Sequence, residues 1–365
     1  MHLTKNNPLI TIIIPVYNAE KLIAGCIESI IQQNVEYWNL ILVNDGSSDK
    51  SGEICQEYAQ QDCRITVIYQ SNGGPGKARN TGINACKTPW FTFVDADDKL
   101  LPTYLANFHV ENCKNETILS CQGLKRVDLQ GHQLGEEYSF NDSVYADENF
   151  LEKAFCKEGL YSYGQSVGKL YNKSVCDKHN IRLNTDIRWS EDHLFYLQYL
   201  LWVKEIHTHA GCLYLYQFAL GQNTLTHRYL PYTEALNIFK YLYPAANAVV
   251  QKFGLENSPV ISQINYHSVT ACFSNILQNL YREETNRYIR ISVLEKLRSD
   301  MKLLQKKYKP NGISGKLLKP MLLYSPLSLL DIVLSKIICK KMRILYIYRE
   351  KEKNEHSIEA VFDTV

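Results

Sequence analysis

The first hundred residues alternate between short apolar runs and segments whose apolar residues recur every three or four positions, a pattern that commits a chain to a layered α/β fold. Leu9-Ile10-Thr11-Ile12-Ile13-Ile14-Pro15-Val16 is a continuous apolar run of the kind expected for a parallel strand buried on both faces. Glu20 to Gln33 then sets Leu22, Ile23, Cys26, Ile27, Ile30 and Ile31 on one helical stripe. Asn39 to Val43, Ile65 to Tyr69 and Trp90 to Val94 read as further strands. Helices are expected from about Asp49 to Gln60 and from the turn at Asn72-Gly73-Gly74-Pro75-Gly76 through Ala85. Short connections between these elements imply right-handed crossovers and a mainly parallel sheet. Ligands of such a sheet bind in the crevice beyond the carboxyl ends of its strands.

That crevice is where the sequence gathers acids. Asp45-Gly46-Ser47-Ser48-Asp49 follows the second strand and Asp95-Ala96-Asp97-Asp98 the fourth. A nucleotide base needs a stacking face and an acceptor for its imide N–H, which Tyr17 and Asp45 could give a uracil. A diphosphate leaving group needs its charge neutralised, and a divalent cation held by hard oxygen ligands does this well. Asp95, Asp97 and Asp98 offer such oxygens. Ser47, Ser48 and Asp49 also suit the N-cap of the helix that follows, and Asp98 could cap the turn before Lys99. Gly76-Lys77 is not a P-loop, because Ser71 stands where that motif needs Gly and Ala78 where it needs Ser or Thr. Asp45 to Gly52 is not a calcium loop, because Lys50 occupies the position of its obligatory Gly.

Beyond residue 105 the pattern loosens. Ile118-Leu119-Ser120-Cys121 and Ser166 to Tyr171 are strand candidates, and Lys125 to Asn149 reads as loop or hairpin. A helix is expected near Ser190-Glu191-Asp192, and Cys212 to Tyr216 is expected to close the sheet. From Tyr232 to Tyr308 the apolar spacing is helical, broken around Gly254 to Pro259 and Glu283 to Asn286. The expected organisation is a sheet domain over 1–230, a helical region over 231–310 and a tail over 311–365. Between Met301 and Lys353 there are 13 Lys or Arg against 3 acids, among many Leu and Ile. That mixture suits an anionic membrane surface through 311–348, where each basic group contributes about 1 kcal/mol. The alternative is a helix packed on the domain with its lysines in water. Ser325, Pro326, Ser328, Asp331 and Ser335 argue against a transmembrane span. The whole-chain balance of 40 basic against 38 acidic residues gives no reason to invoke nucleic acid. The start of the chain has no secretory pattern and the 11 cysteines include no C-x-x-C pair, so a cytoplasmic chain with reduced thiols is expected.

The ordered set Pro15-Val16-Tyr17-Asn18, Val43-Asn44-Asp45-Gly46-Ser47-Ser48-Asp49, Asn72-Gly73-Gly74, Ala78-Arg79-Asn80-Thr81-Gly82 and Val94-Asp95-Ala96-Asp97-Asp98 resembles the family 2 glycosyltransferases of the GT-A fold. The resemblance covers 8–105 closely, as a nucleotide-sugar-binding half, and extends more weakly over an acceptor-side half, 106–230. It implies transfer of a sugar, with inversion, from a nucleotide diphosphate donor, usually UDP, to a hydroxyl of a glycan or lipid-linked glycan. Bacterial surface-polysaccharide assembly is the implied context. Asp45 matches the carboxylate that contacts the base, and Pro15 and Tyr17 lie in the segment lining the base pocket. Asp95 would sit near the ribose, and Asp97 matches the position in the D-x-D signature that binds Mn2+ or Mg2+. Arg79 could face ribose or phosphate, or form a surface ion pair.

Trp189-Ser190-Glu191-Asp192 resembles the family's Glu-Asp motif, whose Asp is the general base. Asp192 takes that role, with Glu191 supporting it or binding acceptor; on their own the two would pass for first-turn acids favoured by the helix dipole. Lys169, in a segment like the family's Lys-Leu-Tyr, could neutralise donor or acceptor charge or merely flank a strand. His227 and Arg228 occupy the place of a loop that in relatives closes over the diphosphate. The alternatives are a non-catalytic nucleotide-sugar or glycan-binding protein on the same fold, and a sugar nucleotidyltransferase, which would release pyrophosphate.

Overall fold

The computed structural model describes residues 8–218, 230–309 and 319–337. The chain divides into two compact units, one of residues 1–228 and 241–261, the other of 229–240 and 262–365.

The first unit is built on the expected alternation. β1 (Ile10–Val16) leads to α1 (Ile23–Ile31), β2 (Trp38–Asn44) to α2 (Ser51–Gln61), and β3 (Ile65–Tyr69) to α3 (Pro75–Ala85), before β4 (Trp90–Phe93). These four strands are parallel in the order β3-β2-β1-β4. The chain therefore runs outward from β1 to one side and returns to its other side with β4. The carboxyl ends of β1, β2 and β4 flank that reversal, where α/β sheets open a crevice. α3 lies close on β1 because residue 82 is glycine: a Cβ there would stand 2.2 Å from Cγ2 of the buried Ile13.

The sheet continues through β5 (Lys99–Leu100), β6 (Ile118–Val127), β7 (Ser143–Tyr145), β8 (Lys169–Asn172) and β9 (Glu205–Gln217), with α4 (Phe150–Glu158), α5 (Lys173–Lys178) and α6 (Glu191–Leu200) between them. Its order is β4-β8-β6-β9-β5, with β7 also on β9. β8 runs antiparallel to β4 and to β6, so the central sheet is mostly parallel on its first side and mixed on the second. The strands expected at Ile118–Cys121 and Cys212–Tyr216 are much longer than their apolar runs. They pair in parallel with a bulge between Gln122 and Leu124, and the pairing carries both past the polar residues that seemed to end them. The segment expected to be loop or hairpin contains β7, and the edge of the sheet is β5.

α6 is fixed by aromatic packing. Phe195 meets Phe93 of β4 at 6.0 Å between ring centroids and Tyr171 of β8 at 5.2 Å, and Tyr199 meets Tyr171 at 5.0 Å. These contacts put the first turn of α6 at the carboxyl end of the sheet.

Helices follow as α7 (Tyr232–Lys252), α8 (Ile261–Asn265), α9 (Ala271–Glu283) and α10 (Arg287–Leu304), with breaks where the sequence loses its helical spacing. Residues 319–324 and 327–337 are also helical. Asp331, buried, accepts from Arg290 at 2.8 and 3.0 Å and from Tyr281 at 2.9 Å, all within the second unit. Leu322, Leu323, Leu330 and Leu334 are buried there, while Tyr324, Leu329, Ile332 and Ile337 are exposed. This part of the tail is packed within the second unit; 311–318 and 338–365 lie outside the described residues. No helix among those described is long and apolar enough to cross a membrane.

Candidate functional site

The floor of the crevice is made by two loops stitched together. Asn18, in left-handed conformation after β1, donates its N–H to Ser47 Oγ (3.1 Å) and accepts the N–H of Ser48 on Oδ1 (2.8 Å). Ala19 N–H donates to Ser51 Oγ (2.8 Å) and Glu20 N–H to Asp49 Oδ2 (3.1 Å). Asp49 also accepts the N–H of Ser51 (3.0 Å), but the N-cap of α2 is Lys50, which makes no side-chain cap bond, so none of Ser47, Ser48 and Asp49 is the N-cap. Pro15 sits opposite Val43 in the β1–β2 ladder, and Tyr17 is left exposed just past the strand.

Asp45 is buried, and its carboxylate accepts from Gln70 Nε2 (2.6 Å) and from the N–H groups of Gly73 (2.9 Å) and Gly74 (2.7 Å). Thr81 Oγ1 donates to Gln70 Oε1 at 2.6 Å and steadies that partner. Asp45 thus fixes the 70–74 loop that opens α3.

At the end of β4 each aspartate has a different task. Asp95 receives Arg79 Nη2 at 2.6 Å. Its own N–H donates to the hydroxyl of Tyr214 on β9 (3.1 Å), and that hydroxyl donates to Asp98 Oδ2 (2.5 Å). Asp98 Oδ1 accepts the N–H of Gln217 at 2.8 Å. Buried Asp98 is thus a clasp between the β4–β5 turn and β9, its pKa raised by burial and by Asp97 and Asp95. Asp97 is half-buried, and its carboxylate accepts from its own backbone N–H. Burial, then the charge of Asp95, pushes its carboxyl up to about 6. A negative oxygen pair held close to another carboxylate in this way suits a cation.

No group of three or more His, Cys, Asp or Glu that could hold a metal occurs among the described residues. A Mg2+-type ion bound with substrate phosphates needs only one or two protein carboxylates, so Asp97 fits that role.

α6 begins at the other side of the crevice. Ser190 turns the chain with φ 62°, and Glu191 and Asp192 form the first turn. Arg79 Nη1 lies 3.6 Å from Glu191 Oε1. The guanidinium is buried between Asp95 and Glu191; burial opposes its charge, but Asp95, Glu191 and Asp192 outweigh that and raise its pKa. The ion pair considered from the sequence exists, though it is enclosed and joins the end of β4 to the start of α6 rather than facing water.

Burial, then Asp192, pushes Glu191 up to about 7 against the pull of Arg79. Asp192 is also raised, by burial first, against Arg79, the N–H of His193 (2.7 Å) and Lys169. A raised carboxylate is a better proton acceptor, which is the direction a general base needs.

Lys169, at the start of β8, is fully buried. It donates to the carbonyl of Gln165 at 2.7 Å and lies 3.9 Å from the ring centre of Tyr163 and 5.0 Å from that of Tyr196. It therefore lines no open surface. His227 and Arg228 lie outside the described residues. Sequence reasoning missed Tyr214, Gln70 and the Tyr163–Tyr196 pair. Tyr214 sits in a strand that was expected, yet nothing local marks its hydroxyl as different from those of the neighbouring tyrosines.

The family described as Glycosyl transferase family 2 matches residues 11–180. Uncharacterized glycosyltransferase EpsJ of Bacillus subtilis (strain 168) is 32% identical over 250 residues, covering 68% of this chain and 71% of EpsJ. Glycosyltransferase GlyG of Streptococcus pneumoniae serotype 4 is 44% identical over 174 residues, 46% of this chain and 51% of GlyG. This chain thus spans about half the length of GlyG, and less than two thirds of some other relatives. Among solved structures, S. aureus TarS 1-349 in complex with UDP-GlcNAc has a TM-score of 0.65 at 17% identity, covering 92% of this chain and 91% of that one. That likeness is one of fold.

Proposed function

The chain belongs to glycosyl transferase family 2 and is a glycosyltransferase, and on that premise we propose that it transfers a sugar, with inversion, from a UDP-sugar to a hydroxyl of a glycan or lipid-linked glycan, with Asp192 as general base. The observation that carries this reading is the Arg79 bridge, 2.6 Å to Asp95 at the end of β4 and 3.6 Å to Glu191 beside Asp192. It joins the donor-side carboxylates to the base motif across one crevice. That TarS, a chain of the same fold, binds UDP-GlcNAc supports uridine as the nucleotide.

In this reading Pro15 and Tyr17 line the base pocket, and Asp45, at the end of β2, contacts the base while holding the 70–74 loop. Asp95 lies by the ribose with Arg79 behind it. Asp97 holds a divalent cation, Mn2+ or Mg2+, which when bound neutralises charge on the diphosphate. Asp192 accepts the proton of the acceptor hydroxyl as that oxygen forms its bond to the anomeric carbon. The bond from that carbon to the diphosphate oxygen breaks, and its electron pair leaves with UDP. Glu191 orients the acceptor or its neighbour Asp192. His227 and Arg228 are assigned to the diphosphate side by sequence position, and the enzyme works on the inner face of the membrane.

Asp192→Asn tests the assignment, since the amide keeps the shape and loses the basicity. UDP release is expected to fall roughly 100- to 10,000-fold, with UDP-sugar affinity by calorimetry unchanged. Transfer at the wild-type rate would remove Asp192 from the role of base.

A further inference from the structure

In the run Arg79-Asn80-Thr81 of α3, Arg79 and Thr81 have tasks in the site described above, and Asn80 has none. Asn80 Nδ2 donates to the carbonyl of Leu183 at 2.8 Å, and Asn80 Oδ1 accepts the N–H of the same residue at 2.8 Å. A primary amide carries a donor and an acceptor side by side, so it grips this residue as a neighbouring strand would. Residues 181–190, between α5 and α6, form no helix or strand. Their backbone groups have no ladder and rely on partners of this kind. Leu183 also packs beside the Glu-Asp motif. A Cβ at the buried Gly76 would stand 3.5 Å from Cγ of Glu191 and 3.6 Å from Cβ of Leu183, so both lie against one spot on α3. Gly76, Arg79 and Asn80, three and four positions apart, make one face of that helix. This face receives Leu183 on Asn80 and Glu191 on Arg79, at 3.6 Å.

We propose that Asn80 is a positioning residue for the transfer reaction: by holding Leu183 at both backbone groups it seats the approach to α6 on α3, and so sets where Asp192 stands relative to the donor side of the crevice. This rests on the reading of Asp192 as base. A single guanidinium contact to Glu191 fixes a distance without fixing a direction. Two bonds to one residue of the incoming segment fix both, and the close seat at Gly76 keeps that segment and Glu191 together. A shift of about 1 Å in a catalytic group can cost about 100-fold in rate. A base carried at the end of an irregular segment therefore needs an external seat, and Asn80 gives it one on the helix that also carries Arg79.

The test is Asn80→Leu, which nearly keeps the volume and removes both bonds. UDP release is followed at saturating acceptor with the UDP-sugar that the wild type turns over fastest, and folded sites are counted by calorimetric titration with UDP. The kcat per UDP-binding site is expected to fall roughly 10- to 100-fold, with the donor KM unchanged. The same substitution made in Asp192→Asn should cost less than about threefold further, because Asn80 acts through that carboxylate. Asn80→Asp, which keeps the acceptor for the Leu183 N–H and loses the donor, should lose less than Asn80→Leu, and it carries the same comparison should the leucine variant fail to fold. Equal losses with and without the Asp192 carboxylate, or a lower Tm with kcat per site unchanged, would show a bond that only stabilises the fold and overturn the proposal. If Asp192→Asn transfers at the wild-type rate, it is the base assignment that fails.

Discussion

At the scale of single residues, position along the chain announced the acids and concealed their partners. Asp45 and Asp97 stand out because each follows a strand, and Asp192 because it opens a helix. Tyr214 reaches Asp98 across 116 residues, and the Gln217 N–H reaches it across 119. No spacing rule spans such a gap, so the clasp that makes Asp98 structural was invisible while its neighbours were readable. The division of labour gives a prediction. Asp97→Asn removes the half-buried carboxylate assigned to the cation and should cut transfer at least tenfold with little change in Tm. Chelation by EDTA should do the same to the wild type, and added Mn2+ or Mg2+ should restore it. Full activity in EDTA would mean that transfer needs no divalent cation. Asp98→Asn, by contrast, replaces a clasped buried oxygen and should lower Tm, since unsatisfying such a group costs about 1–3 kcal/mol.

At the scale of elements, boundaries were readable where punctuation is chemical. β3 occupies the expected Ile65–Tyr69, and α3 opens after Asn72-Gly73-Gly74 and ends at Ala85 as expected. β6 and β9 were underestimated because their pairing, and not their composition, continues them beyond Gln122 and back to Glu205. α4 was missed although Phe150, Leu151, Ala154 and Phe155 are buried at helical spacing, because it follows a long polar stretch. The close seat of α3 on β1 can be tested directly. Gly82→Ala gains about 1 kcal/mol of helix propensity, yet its methyl would stand 2.2 Å from Ile13, in a core with no room to yield. Overpacking of that kind costs about 1–3 kcal/mol. A fall in Tm is expected, with transfer at 25 °C reduced because α3 carries Arg79. A raised Tm would mean that the helix can lift off the strand at no cost.

At the scale of the whole molecule, the sheet unit was legible as a fold and the second unit only as helical spacing. Asp331 shows why. In sequence it interrupts an apolar window, whereas in the folded unit it anchors Arg290 and Tyr281 and lets the helix 327–337 pack. The membrane reading therefore rests on the basic residues beyond that helix and on its exposed Leu329, Ile332 and Ile337. Replacing Lys340, Lys341, Arg343 and Arg349 by Glu should release the protein from vesicles of anionic lipid in a sedimentation assay, with transfer to a soluble acceptor preserved. Sedimentation equal to the wild type would put the attachment elsewhere or nowhere. The Arg79 bridge bears on how such a protein can change over generations. Because one guanidinium serves Asp95 and Glu191 together, a lineage that redraws the turn after β4 also alters the charge beside the first turn of α6. A hybrid grafting one half onto another relative's must bring its arginine's partners along.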